Sequence, residues 1–377
     1  MQVVQHVWAN RQWCFSSGEL GDTAPGRSVI FLAGAPEQLI DGSALDALRA
    51  RHPDVPILAV SAAGEIAGTR LLDGSLVATV LSFARAHVRG AVVAIGAVGR
   101  SREAGAEVAR SLSGDALKHV LVFCEGVEVN GSELVLGMTA ALPSGVTISG
   151  GLASDGSRDQ QTLTSFDGPP RRGQVAAVGF YGAGLRVACG TAGGWDAFGP
   201  ERLVTRSDGG TVYEIDGEPA LALYKRYLGP HAVGLPASAL RFPLALRGEE
   251  RGCEIVRTVI AVGEDDERLV FAGDVPEGAH VRMMKSSPDR LVDGAALAAE
   301  AGRAEAASVA ILVSCVGRRW MLGQRTEEEL EIVRDVLGEG VRLAGFYSNG
   351  EIAPCRPGAK VGLHNQTMTV TTFAEDT

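Results

Sequence analysis

The sequence predicts an α/β fold of two related modules, with mainly parallel or mixed sheets flanked by helices, built on repeated units in which a strand runs into a Gly-Glu-Ile-Ala loop. Three observations carry this reading. Short runs rich in Val, Ile and Leu alternate with stretches whose apolar residues recur at helical spacing, the grammar of β-α-β units. Glycine is over-used, 49 of 377 residues against an ordinary share of roughly 7%, and the glycines punctuate apolar runs as turns and close approaches do. Finally, residues 55–67 read VPILAVSAAGEIA and residues 341–353 read VRLAGFYSNGEIA, an internal echo with one residue fewer between Ser and Gly in the second copy.

Taken in order, the first 27 residues are mixed and Gly/Ser-containing. Residues 28–33 (SVIFLA) read as a buried strand, 43–51 as a helix with Leu45 and Leu48 on one face, and 53–60 as the returning strand. Such a unit favours parallel pairing. Residues 76–84 and 88–98 lack helical spacing and are joined by a short break, which predicts an antiparallel pair. A helix at 102–112, a strand at 119–124, a helix at 131–141 and a strand at 146–149 restore the alternation, and 175–181 with 185–190 read as another strand pair. Beyond these come a strand at 211–215, a helix at 219–228, and strands at 255–262, 269–272 and 281–285. An Ala-rich helix at 295–307, a strand at 309–315, a helix at 326–337 and a strand at 341–346 close the chain. In the helix at 326–337, Thr326 and Glu329 have capping-box spacing, Leu330, Val333 and Leu337 form the buried stripe, and Gly338 stands at the C-cap.

Charge and composition exclude several classes. A formal net charge of −10 gives no general attraction to phosphate backbones or anionic lipid, so neither nucleic acid nor a membrane surface is an expected partner. The first residues lack the basic start and continuous apolar segment of a secretory signal, and no run reaches the roughly 18 to 20 apolar residues of a membrane span. A cytoplasmic protein is expected; a homo-oligomeric state is left open. The six cysteines lie far apart and never form CxxC, which predicts buried reduced thiols rather than a disulfide framework or a zinc knuckle.

The echo supplies the candidate site. Each copy should leave the carboxyl end of a strand, where open α/β sheets place ligand crevices, and a looser third case, 146–156 (VTISGGLASDG), does the same. The residues at stake are Ser61, Gly64 and Glu65 in the first loop, Gly150, Gly151, Ser154 and Asp155 in the third case, and Tyr347, Ser348, Asn349, Gly350 and Glu351 with Asn365 in the second copy. Glycine frees backbone amides, Ser offers a hydroxyl and Glu a carboxylate. The two Gly-Glu loops are expected to face one shared crevice, with each Glu touching ligand; the alternative is a buried Glu that satisfies loop amides. Nucleophilic catalysis by Ser348, Cys315 or Cys355 with His364 is the rival reading, but no G-x-S-x-G elbow, Walker A loop, HExxH or EF-hand is present. The seven histidines have no paired metal spacing. A single imidazole suffices for a haem iron, and His231 and His364, beside apolar segments, are the candidate axial ligands, with Cys315 or Cys355 as thiolate competitors.

SAAGEI (61–66), SGGLASDG (149–156), GWDAFGP (194–200), YEIDGEPALALYKRYLG (213–229), RFPLAL (241–246), DVPEGA (274–279), SCVGRR (314–319), GFYSNGEIAP (345–354) and LHNQT (363–367) resemble, in order, the FIST family. The resemblance implies an N-type sensory module over 28–220 and a C-type module over 221–369. It implies a small-molecule ligand and a separate signalling partner such as a histidine kinase or a cyclic-di-GMP enzyme, without turnover. The chain is similar to stand-alone bacterial nitric-oxide-sensing proteins of this family, which implies haem b, with Arg241, Arg282, Arg318 and Arg319 available to its propionates. Sensing of an amino acid or another small polar metabolite is the alternative, and a hydrolase-like enzyme the further one.

Overall fold

The computed structural model of the chain describes residues 1–15, 26–156, 161–248, 253–356 and 358–376. The first unit comprises β1 (Gln2–Ala9), β2 (Gln12–Phe15), β3 (Ser28–Gly34), α1 (Pro36–Asp41), α2 (Ser43–Arg51), β4 (Ile57–Ser61), β5 (Glu65–Ala67), β6 (Arg70–Leu72) and β7 (Leu76–Ser82). The second comprises β8 (His87–Ala94), α3 (Ser101–Leu112), β9 (Leu117–Cys124), α4 (Gly131–Ala141), β10 (Thr147–Leu152), β11 (Thr164–Phe166) and β12 (Gln174–Tyr181). After β13 (Leu185–Ala192), an insertion carries β14 (Asp196–Asp208), β15 (Thr211–Ile215), β16 (Glu218–Pro219), α5 (Ala220–Leu228), β17 (Leu244–Arg247), β18 (Glu254–Arg257), β19 (Val259–Gly263), β20 (Arg268–Phe271) and β21 (His280–Lys285). The third unit then resumes with α6 (Pro288–Ala301), β22 (Val309–Cys315), α7 (Val316–Leu322), α8 (Thr326–Leu337), β23 (Arg342–Ser348), β24 (Gly350–Pro354), β25 (Val361–His364) and β26 (Met368–Glu375).

The strand-to-loop unit is present three times, and the three sheets share one plan. Each has a parallel pair at its heart, β3 with β4, β9 with β10, and β22 with β23. On one side lie two antiparallel strands of the same unit, β7 and β1, β12 and β8, β26 and β13. On the other side sits a strand lent by a neighbour: β5 pairs with β23, β24 with β10, and β11 with β4. The exchange runs round in a closed cycle, so the units hold one another by backbone hydrogen bonds.

This arrangement explains why the strands read as continuous apolar runs. One face of every sheet turns to a shared centre formed by Phe31, Leu58, Phe123, Phe180, Ile311, Phe346 and Phe373, all nearly inaccessible. The Phe31, Phe123 and Phe346 rings, one from each sheet, meet with centroids 5.2 to 6.3 Å apart. The opposite faces lie under helices, α2 over the first sheet, α3 and α4 over the second, α6 and α8 over the third. At the α3/α4 crossing a Cβ on Gly105 would stand 2.2 Å from the Leu134 carbonyl oxygen, and one on Gly137 2.0 Å from that of Arg102. Only glycine permits that approach.

The fourth sheet has the order β18-β17-β21-β14-β15-β20-β19 and packs its own core around α5, with Leu221, Tyr224 and Phe271 buried. Position 220/221, the sequence boundary between modules, lies inside this layer.

Several expectations are corrected. The mixed N-terminus contains β1 and β2; buried Gln5, whose side-chain amide donates to Thr79 Oγ1 and the Leu343 carbonyl oxygen, hides β1 from a hydrophobic pattern. Segment 16–25 lies outside the described residues. The strand pairs at 76–84/88–98 and 175–181/185–190 are not hairpins, because the chain changes sheets at both corners: β7 and β8, and likewise β12 and β13, belong to different sheets. The first corner is clamped by Glu375, which accepts from the amides of Ala84, Arg85 and Ala86, each at 2.7 Å; the second turns on Gly182, at φ 144°. Stretch 255–262 is two strands at opposite ends of the fourth sheet. The Ala-rich helix starts at Pro288, capped by Ser287, and ends at Ala301. Thr326 and Glu329 form no capping box: Thr326 Oγ1 donates to the Gly323 carbonyl oxygen, and Glu329 is committed to a buried ion pair with Arg318. Cys253 and Cys355 are paired in a disulfide rather than reduced, leaving Cys14 exposed and Cys124, Cys189 and Cys315 buried as free thiols.

Candidate functional site

The three strand-end loops meet and close on one another through the same backbone bond made three times. The Ala63 amide donates to the Tyr347 carbonyl oxygen (3.0 Å), the Asn349 amide to Leu152 (3.2 Å) and the Ser154 amide to Ser61 (3.0 Å). These bonds equate the units residue by residue. Ala62 corresponds to Ser348 and Glu65 to Glu351, so the hydroxyl that the sequence echo assigns to Ser61 is out of register. Ser61 Oγ instead accepts from the Leu163 amide at 2.9 Å.

The equivalent glutamates have different surroundings. Glu351 is wholly buried and both its oxygens have donors: Ser348 Oγ at 2.6 Å on Oε1, and the Thr367 amide (3.1 Å) and hydroxyl (2.8 Å) on Oε2. Burial pushes its carboxyl up to about 7, against the pull of these bonds. Glu65 keeps the Oε2 half of this pattern, accepting from Ser75 Oγ at 2.7 Å and the Ser75 amide at 3.3 Å. Its Oε1 has no hydrogen-bond partner among the described residues, because Ala62 stands where the third unit has Ser348. Burial, with Asp73 adding to it and Ser75 and Arg319 opposing, pushes Glu65 up to about 8.

Beside Glu65 the surface opens into a cleft of about 540 Å³ whose walls include Ala63, Gly64, Leu71, Asp73, Arg319 and Trp320. Glu37 of α1 and Asp155 of the second unit's loop also reach it. Arg319 crosses the cleft from α7, with Nη1 donating to the Ala63 carbonyl oxygen and Nη2 to Asp73 at 2.7 Å. Its neighbour Arg318 fixes α7 from beneath. That guanidinium, fully buried, pairs with Glu329 at 2.8 Å and donates to the carbonyl oxygens of Gly193 and Leu291 at 2.7 Å each, while Ser314 and Tyr347 hydroxyls donate to Glu329. A second depression of about 570 Å³, formed by residues 303–307 with Leu337, Gly340 and Val341, lies at the amino ends of β22 and β23, the opposite end from the expected crevices.

Of the residues singled out in sequence, Gly64, Glu65, Asp155 and Arg319 line the cleft. Gly150, Gly151, Ser154, Tyr347, Ser348, Asn349, Gly350, Glu351 and Asn365 are in the structural joint behind it: Ser154 Oγ donates to Asn349 Oδ1 at 2.7 Å, and Gly150, at φ 147°, packs on the Val122 backbone. The two Gly-Glu loops therefore do not share the crevice. Sequence reasoning passed over Asp73, Trp320 and Glu37, whose only signal is nearness in space.

The residues named as iron ligands are not placed to hold a haem in this cleft. His231 is exposed, its ring 5.3 Å from that of Phe242. His364 is buried with Nε2 3.0 Å from the Ala353 carbonyl oxygen, and burial pushes its pKa down to about 4. Cys355 is in the disulfide and the Cys315 thiol is buried and pushed up. None of the four lines the cleft, and Arg318 is consumed by Glu329. Ser348 and His364 are not paired with each other: Ser348 Oγ donates to Glu351, and His364 lies on the Ala353 carbonyl oxygen. No helix of the described residues is long and apolar enough to cross a membrane.

Comparison with known proteins agrees with the pattern of motifs. The FIST N domain model matches residues 28–218 and the FIST C domain model residues 220–354. A solved structure of a cyanuric acid hydrolase from A. caulinodans is similar at 11% identity with a TM-score of 0.34, over 94% of this chain and 92% of that one. No curated protein matches the sequence. With both domain models matched in order across most of its length, the chain belongs to the FIST family.

Proposed function

We propose that this protein is a sensory module that takes a small polar ligand in the cleft beside Glu65 and reports its occupancy to a separate signalling protein, such as a histidine kinase or a cyclic-di-GMP enzyme. The observation that carries the reading is the contrast between the two equivalent glutamates. Glu351 is fully satisfied inside the fold, whereas Glu65 keeps one buried, unpartnered oxygen next to the open cleft. An unsatisfied buried carboxyl is costly, and a ligand donor would relieve it. Arg319 and Trp320 give the reading a route outward, since both sit on α7 and line the cleft that a ligand would occupy. The sensory role rests on the family, and no turnover is proposed.

The test is a thermal-shift panel of amines, amino acids, nucleotides and haem on the wild type and on Leu71→Trp, which crowds the cleft beside Gly64 and Glu65. At least one compound should raise the wild-type melting temperature and leave Leu71→Trp unmoved. Stabilisation of both proteins alike would refute the cleft as the site. A haem spectrum insensitive to Leu71→Trp would restore the haem reading.

A further inference from the structure

We infer that the cleft is selective for an organic cation bearing ammonium groups and no carboxylate, a short aliphatic diamine being the simplest case, with Glu65 Oε1 as its innermost acceptor. This rests on the cleft being the ligand site and adds the ligand's chemistry.

Beside Glu65 one hydrogen-bond donor is absent among the described residues. In the third unit Ser348 donates to Glu351 Oε1 at 2.6 Å; in the first, Ala62 occupies the equivalent place and Glu65 Oε1 has no partner, although the residue is 1% exposed. What is missing at that point is a hydrogen-bond donor. The charges around it decide what kind. Among the described residues, Glu37, Glu65 and Asp73 line the cleft against one cation, Arg319, whose guanidinium is already bonded to Asp73 and to the Ala63 carbonyl oxygen. Among the described residues a ligand carboxylate would thus meet an acidic wall whose one cation is already paired with Asp73, an unfavourable burial of charge. An ammonium meets the reverse. Trp320, 56% exposed at the rim, adds an aromatic face of the kind that attracts organic cations. The missing partner of Glu65 Oε1 is a hydrogen-bond donor, which an ammonium supplies and a bare metal ion does not. Glu65 Oε1 is shielded from water, and the side chains lying over Gly64, those of Leu71 and Arg319, must shift for an ammonium to reach it.

The groups facing Glu65 are Ser75, Asp73 and Arg319, with Glu37 and Asp155 elsewhere in the cleft. An ammonium binds the ionised carboxyl, so a carboxyl pushed up to about 8 must first lose its proton. Affinity therefore rises with pH between 6 and 8 and then levels, with a proton released on binding.

The experiment is isothermal titration calorimetry of the full chain with 1,4-diaminobutane and with 4-aminobutyrate, which has the same length but one carboxylate. Wild type, Glu65→Gln and Ala62→Ser are compared at pH 6, 7 and 8. We expect the diamine to bind the wild type at least tenfold more tightly than 4-aminobutyrate, and both substitutions to weaken it at least tenfold. Ala62→Ser supplies the missing hydroxyl internally, so it should unfold at a temperature no lower than wild type; should it fail to fold, Glu65→Gln carries the test. If 4-aminobutyrate binds equally well and still depends on Glu65, the cation selectivity is overturned and the cleft survives. No diamine binding to the wild type also overturns the selectivity. Diamine binding indifferent to both substitutions overturns the cleft as well.

Discussion

Replacing Glu329 by leucine should be among the most damaging single changes in the protein, because Glu329 holds the helix that carries Arg319 and Trp320. Both partners of the Arg318–Glu329 pair are completely inaccessible. Without the carboxylate, the Arg318 charge stays buried with only the Gly193 and Leu291 carbonyl oxygens for company. Breaking a buried pair in this way costs about 3–5 kcal/mol. The Ser314 and Tyr347 hydroxyls, at 2.9 and 2.7 Å from Glu329 Oε1, lose their acceptor, each adding about 1 kcal/mol. The total of about 5–7 kcal/mol is comparable with the whole stability of many domains. Adding Arg318→Met should recover more than half of that loss, because a neutral pair of similar volume leaves no uncompensated charge. Urea unfolding followed by circular dichroism, with the slope checked for constancy, measures both. A loss below about 1.5 kcal/mol for Glu329→Leu, or a double substitution no better than the single, would refute the reasoning.

Three further outcomes are expected. Glu65 and Glu351 have folded pKa values of about 8 and 7 against an ordinary 4.5. Their contribution to stability is therefore fully present below about pH 4.5 and lost as pH rises through 7 and 8, at up to about 1.4 kcal/mol per pH unit per group; Glu65→Gln with Glu351→Gln should flatten urea midpoints across that window, and an unchanged slope would count against the shifts. Gly105→Ala and Gly137→Ala should each destabilise by about 1–3 kcal/mol, since a methyl group would collide with backbone rather than a yielding side chain; thermal melts unchanged within a degree would contradict the close crossing. Alkylation without reductant should label Cys14 in the native state and Cys124, Cys189 and Cys315 only after unfolding, with Cys253 and Cys355 labelled only after reduction. Mass spectrometry reads the count, and six labelled sites in unreduced, unfolded protein would remove the disulfide.

The parts of the fold that sequence reveals are those where one local rule decides. Residues 29–33, 120–124 and 309–313 are apolar without a break because helices cover one face of each sheet and the aromatic centre covers the other, and that double burial is what the pattern records. Pairing is a different matter. The corners at 83–86 and 182–184 look like hairpin turns, yet Glu375, almost at the far end of the chain, clamps the first of them, and no local signal carries that contact. The candidate site was half legible for the same reason. The Gly-Glu-Ile-Ala echo locates two equivalent glutamates, but their different environments follow from one residue, Ala62 or Ser348, whose correspondence appears only when the loops close on each other. Arg318 and Arg319 look alike as adjacent basic residues, although one is sealed in an ion pair and the other crosses the cleft.

Hydrogen–deuterium exchange of the full chain, with and without a compound that stabilises the wild type but not Leu71→Trp, tests the central claim most directly. Ligand in the cleft should slow exchange over residues 62–75 and 316–323, the two segments that carry Glu65, Asp73, Arg319 and Trp320. Protection confined to the fourth sheet, residues 196–285, with those two segments unchanged, would contradict it.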